Sequence, residues 1–240
     1  HGSGGTMMKR IIDEVFFSAY AGEELLEGND AATLPVPAEG ESVAFSTDSF
    51  VVTPHFFPGG DIGKLAVCGT VNDVATSGAV PKYLSCGFIL EEGFPMEDLK
   101  KICQSMAEMA KEAGVHIVTG DTKVVNRGHG DGVFINTSGV GFVPAGVHLS
   151  GANCKPGDKI LVTGTLGDHG ITIMSCREEL SFSADITPGI TLYGADQPIL
   201  LAAQQALREG TLINAFTASH ALRDEQTIAQ TICSIRQTGN

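Results

Sequence analysis

PMEDLKKICQSMAEMAKEAGVHIVTGDTKVV, residues 95–125, decides the fold class. Its first half places Met96, Leu99, Ile102, Met106, Met109 and Ala113 at helical spacing, after a proline suited to a first turn and before Gly114 as a stop. The apolar run VHIVTG follows at once and reads as a strand. A helix feeding a strand through one glycine is the repeating unit of a mixed α/β layer.

Working outward, VFINTSGVGFV (133–143) is a further strand behind the glycine-rich turn 128–132, and KYLSCGFIL (82–90) is one ahead of the helix. SVAFSTDSFVV (42–52) is β-rich, and residues 61–77 form a helix of small residues ended by Gly78. Thr6 caps an N-terminal helix that carries Met8, Ile11, Ile12, Val15 and Phe16 on one face. These elements predict an α/β (α+β) domain over residues 1–149. NCKPGDKILVTG (153–164) restarts with a turn and a strand, so residues 150–240 are expected to be a partial second domain. Within it, 199–207 and 228–235 read as helices, and strand partners for a complete second sheet are not evident.

Composition narrows the function. The 240 residues carry a formal charge of −13, which argues against nucleic-acid or anionic-membrane binding, since both need a basic footprint. Cysteines at 68, 86, 103, 154, 176 and 233 form no CxxC pair, so reduced thiols in a cytoplasmic protein are expected rather than zinc or a disulfide framework. No run approaches the roughly 18 apolar residues of a membrane helix.

Four acids stand in awkward places. Asp48 interrupts the strand FSTDSF, Asp73 lies inside the apolar helix at VNDVA, Asp121 follows VHIVTG, and Asp30 lies in NDAATL. Carboxylates gathered together repel unless a cation intervenes, and a hard divalent ion such as Mg²⁺ shared with phosphate is the natural partner. Taken singly, each is equally well a turn, surface or cap residue. Lys123 could touch phosphate, move a proton, or be a solvated lysine. GGDIGKLA (59–66) is not a Walker A loop, because Pro58 and Leu65 occupy its Gly and Ser/Thr positions. HGSGG, residues His1, Gly2, Ser3, Gly4 and Gly5, could cradle phosphates through its amides or be a cloning scar ahead of Met7. Composition alone favours the scar.

Read jointly, HGSGG, FSTDSF, PHFFPGGDIGKLAVCGTVNDVA, SGAVPKYLSCGFILEEGFPMEDL, GDTKVV and FINTSGVG resemble the HypE hydrogenase expression/formation proteins, in order and near that family's spacing. The resemblance runs to about residue 179 and makes HGSGG native. It implies membership of the aminoimidazole ribonucleotide synthetase-like superfamily, with a homodimer whose N-terminal domains close a β-barrel. It also implies that ATP and Mg²⁺ are held by Asp30, Asp48, Asp73 and Asp121 under the loop 1–5, with Lys123 assisting proton removal. The implied reaction is ATP-dependent dehydration of a cysteine thiocarboxamide to a thiocyanate, the source of cyanide for the iron of [NiFe] hydrogenase. The implied partners are the carbamoyltransferase of that route and the iron-carrying maturation chaperone complex. Asn29 stands where relatives often have Asp, and the chain ends QTGN where the family ends in the cysteine that carries the substrate. A catalytically incompetent dimerisation and nucleotide-binding module therefore stays open as an alternative, as does a related kinase or selenophosphate synthetase-like enzyme.

Overall fold

The computed structural model describes residues 5–20, 22, 31–32, 34–162, 212–218 and 231–236. The chain opens with α1 (Gly5–Ile11), which runs through a π-helical stretch (Ile12–Phe17) into the single turn α2 (Ser18–Tyr20). A mixed sheet follows, built from β1 (Ser42–Phe50), β4 (Val80–Glu91), β5 (His116–Val125) and β6 (Val133–Val143) in the order β1-β6-β4-β5. The short hairpin β2 (Phe56–Phe57) and β3 (Gly60–Asp61) leads into α3 (Ile62–Thr76), and α4 (Met96–Ala113) joins β4 to β5. Because α4 is the crossover, β5 pairs parallel to β4, whereas β6 is antiparallel to both of its neighbours.

Both long helices have clear ends. The Asp61 carboxylate caps α3, accepting from the Gly63 and Lys64 amides at 2.7 and 3.0 Å, and burial raises its pKa. Pro95 sits at the N-cap of α4, Glu97 and Asp98 occupy its first turn, and Lys111 lies near its C-terminus, each matched to the helix dipole. Gly114 ends it at φ 67°, a left-handed geometry that glycine adopts without strain. Leu99, Ile102, Met106 and Ala113 of α4 are buried, as the spacing of residues 95–125 predicts, and Cys103 is buried beside them.

All the long elements of the core pack on one face of the sheet. Leu84, Cys86, Phe88 and Leu90 of β4 and Val133 and Ile135 of β6 meet Ile62, Leu65, Val67, Ile102 and Met106 there. Each such side chain contributes about 1.5–3 kcal/mol on leaving water. At the centre of this layer the Thr70 and Thr137 hydroxyls lie 2.6 Å apart, and Thr137 also donates to the Ala66 carbonyl at 2.9 Å. No uncompensated buried hydroxyl results.

The opposite face of the sheet is open. Its strand-to-strand rows are Phe45–Val140–Tyr83–His116, Thr47–Ser138–Ser85–Thr119, Ser49–Asn136–Gly87–Asp121 and Phe134–Ile89–Lys123. Two polar rows thus lie between apolar ones, and Phe45, Val43 and Ile89 are exposed there, Phe45 to 68%.

The later residues differ from expectation. The segment expected as a helix over 228–235 is instead, in its described part, the strand β9 (Thr231–Arg236). It pairs antiparallel with β7 (Lys159–Val162) and β8 (Leu212–Ala218), giving a second sheet in the order β7-β9-β8. The distant strands 159–162 and 212–218 are what overrule the local helical pattern. The helix expected over 199–207 lies outside the described residues. Among the described residues, no helix is long and apolar enough to cross a membrane.

Candidate active site

The strand FSTDSF and the helix VNDVA meet at one edge of the core. Along β1 the burial alternates, and Ala44, Ser46, Asp48 and Phe50 face the helix layer while Val43, Phe45, Thr47 and Ser49 face outward. Ser46 Oγ lies 3.4 Å from Asp73 Oδ2, so α3 presents Asp73 to the inner side of β1. Asp48 lies on that same side, two residues or about 7 Å further along the strand. Its Oδ1 accepts from the Ser49 amide at 2.7 Å. Neither carboxylate is isolated, since both make further interactions.

Asp121 lies elsewhere. It is inside β5 rather than after it, paired with Gly87, three strand spacings or about 14 Å across the sheet from β1. It also lies on the other face. A bulge lets Leu84 and Ser85 pair with Ile117 and Thr119, leaving Val118 as an extra residue. Without the bulge, Ile117, Thr119, Asp121 and Lys123 would all face the helices; with it, Asp121 and Lys123 turn to the open face. There the Lys123 ammonium contacts both carboxylate oxygens of Asp121, at 2.9 and 2.7 Å, with side chains about two-thirds exposed or more (71% and 67%). The hydrogen bond from Lys123, with one from the Thr122 amide, holds the Asp121 pKa below the ordinary carboxylate value. An exposed pair of this kind adds little to stability.

Asp121 and Lys123 border a cavity of about 350 Å³ between β5 and the N-terminal helical run, lined also by Met8, Ile12, Phe16 and Phe88. That run begins at Gly5. Two groups of site residues therefore stand apart: Ser46, Asp48 and Asp73 at the β1 edge, and Asp121 with Lys123 at the β5 edge beside the cavity that Met8 and Ile12 also line. His1, Gly2, Ser3, Gly4 and Asp30 lie outside the described residues.

Of the acids singled out in the sequence, Asp48 and Asp73 share one wall. Among the described residues, no group of three or more His, Cys, Asp or Glu could hold an ion by itself. Mg²⁺ ordinarily takes one or two carboxylates and completes its shell with water and phosphate oxygens. Asp48 and Asp73, on one wall, supply that number of hard oxygen donors. Sequence reasoning missed Ser46, although its position two residues before Asp48 puts both on one face of a strand. It also missed Asn136, whose amide reaches Asp48 from across the sheet.

Residues 28–143 match the family of AIR synthase related proteins, N-terminal domain. The carbamoyl dehydratase HypE of Escherichia coli (strain K12) is 53% identical over 87% of this chain, which spans 61% of that protein's length. The crystal structure of hydrogenase maturation protein HypE in complex with ATP superposes with a TM-score of 0.82 and 46% identity, over 90% of this chain and 62% of that one. A chain from a HypE–HypF complex is 40% identical, with a TM-score of 0.69, over 94% of this chain and 83% of its own.

Proposed function

Because the chain belongs to the HypE family of hydrogenase maturation proteins, we propose that it is part of an ATP-dependent carbamoyl dehydratase, with Asp48 and Asp73 as its metal–phosphate ligands. The reading rests on the Ser46–Asp73 contact, which sets two segments that both carry an out-of-place acid onto one wall. A similar chain binds ATP, and Mg²⁺ at this wall would neutralise charge on the transferring phosphoryl group.

The proposed reaction phosphorylates the oxygen of a cysteine-borne thiocarboxamide. Loss of that oxygen as phosphate, together with the nitrogen-bound protons, leaves a thiocyanate. The amide oxygen is a weak nucleophile, so the protein's contribution is to align it with the γ-phosphate and to exclude water. The Lys123 ammonium has donors and no lone pair, which suits it to contact phosphate or a leaving oxygen. In this reading Asp121 keeps that ammonium in place, and the loop 1–5, joined to α1 beside the β5 cavity, closes over the nucleotide.

Two association surfaces follow from the same reading. The open sheet face, with exposed Val43, Phe45 and Ile89, serves as the homodimer contact that closes the barrel. The carbamoyltransferase HypF is the partner that loads the substrate group, supported by the complex formed by a similar chain, and the iron-carrying chaperone complex receives the cyano group.

Calorimetric titration of the intact protein with Mg²⁺ and a non-hydrolysable ATP analogue tests the ligand assignment. Asp48→Asn and Asp73→Asn should each weaken binding by at least about tenfold, the effect of losing a charge-assisted contact. Unchanged affinity in both variants would remove this wall from the reaction.

A further inference from the structure

The backbone of Asp48 is held by a side chain on the open face of the sheet. β1 is an edge strand among the described residues, with β6 as its neighbour. Its centre, Ser46–Thr47–Asp48–Ser49, is poor in residues that favour strands. Its side chains also compete with the ladder, as the Asp48 carboxylate does when it takes the Ser49 amide at 2.7 Å. A carboxylate meant to hold a metal and phosphates at fixed distance needs firmer backbone than this.

Asn136 supplies it. From the open face of β6, opposite Ser49 in register, its side-chain amide donates to the Asp48 carbonyl at 2.9 Å. The same nitrogen lies 3.0 Å from Ser49 Oγ and 3.4 Å from Thr47 Oγ1. Ser138 extends the arrangement by donating to Thr47 Oγ1 at 2.9 Å, while Thr47 Oγ1 donates to the Thr137 carbonyl at 3.1 Å. Three consecutive residues of β1 are therefore gripped on their outward side while the middle one presents its carboxylate inward. Asn136 is exposed and adds nothing to the apolar core. One of its contacts is to the main chain of Asp48 and the other two are to the residues on either side.

We infer that Asn136 is a positioning residue for Asp48, acting through the β1 backbone from the face opposite the Asp48 carboxylate. The inference rests on the assignment of Asp48 as a metal–phosphate ligand. Its test is a double-mutant cycle on the intact protein, read as affinity for Mg²⁺ with a non-hydrolysable ATP analogue and, separately, as stability to denaturant. Asn136→Val keeps a good strand former and removes the donor. Asn136→Asp keeps the shape and sets an acceptor against the carbonyl. Each should weaken binding about three- to tenfold, the worth of one or two such hydrogen bonds. Combined with Asp48→Asn, neither should weaken binding beyond Asp48→Asn alone, because the residue acts only through that carboxylate. Effects on stability should remain additive.

Parent-like binding by both Asn136 variants overturns the inference. So does a double variant whose loss is the product of the two single losses, which would mean a general structural role. Parent-like binding by Asp48→Asn is a different result, since it removes the assignment of Asp48 itself.

Discussion

Replacing Gly141 by alanine tests how closely the Asp73 helix must approach the sheet. Gly139 and Gly141 of β6 lie under α3, where a methyl group has no room. A Cβ on Gly141 would stand 2.6 Å from Val74 Cγ1, 2.8 Å from the Val80 carbonyl oxygen and 3.1 Å from Pro81 Cα. Carbon–carbon contacts settle near 3.5–4.0 Å, so the overlap with Val74 is about 1 Å. The two remaining obstacles are backbone and cannot rotate away. Relief requires α3 to lift or β6 to part from β4, and overpacking of this kind costs about 1–3 kcal/mol. With backbone on two sides the upper half of that range is expected, a fall in Tm of roughly 4–12 °C for a chain of this size. Lifting α3 also draws Asp73 from Ser46, so affinity for Mg²⁺ and nucleotide should fall along with stability. Denaturant titration and calorimetry on Gly141→Ala read both effects. A variant within about 0.5 kcal/mol of the parent, binding nucleotide as tightly, would refute the claim that this glycine sets the separation.

Two further outcomes follow from titratable groups. Glu91 takes the Gly128 and Gly132 amides at 2.5 and 3.0 Å, and those two hydrogen bonds lower its pKa in the folded state. Its hold on the 128–132 turn is therefore complete above the unfolded carboxylate pKa and is lost as pH falls through the lower folded value; amide exchange at Gly128 and Gly132 should accelerate in acid, and Glu91→Gln should remove that dependence. Burial pushes the Cys68 and Cys103 thiols up to about 12 and also raises Cys86, whereas Cys154 is exposed. Brief alkylation of the native protein followed by peptide mapping should find Cys154 modified and these three intact, and prompt labelling of Cys103 would contradict the packing of α4.

The parts of the fold legible in the sequence are those fixed by local chemistry. The helix after Pro95 carries an apolar stripe, a matched charge at each end and a glycine stop, and each signal concerns neighbours along the chain. Strand lengths were less legible. VHIVTG reads as ending at Gly120, but β5 continues to Val125 because its pairing with β4, not its own composition, sustains it. The helical spacing of 228–235 fails for the same reason, since β9 is held by strands far away in sequence.

For the site, the residue types at positions 48, 73 and 121 could be singled out because acids are unusual in such surroundings. That Asp48 and Asp73 share a wall follows from α3 crossing β1, a tertiary fact. That Asp121 stands apart follows from the strand order, which puts β5 three strands from β1, and that it faces the open side follows from one surplus residue, for which VHIVTG gives no warning.

Val118 therefore has a consequence out of proportion to its size. Loops generally tolerate a change of length better than the interior of a strand does, and here the asymmetry is extreme. Removing one residue at this point would exchange the two sides of everything downstream in β5, turning a lysine and an aspartate toward Phe88 and Leu90 and sending Val124 out to solvent. Val118 is buried, so a change of apolar side chain there acts on its own packing, whereas a change in the count acts on the whole end of the strand.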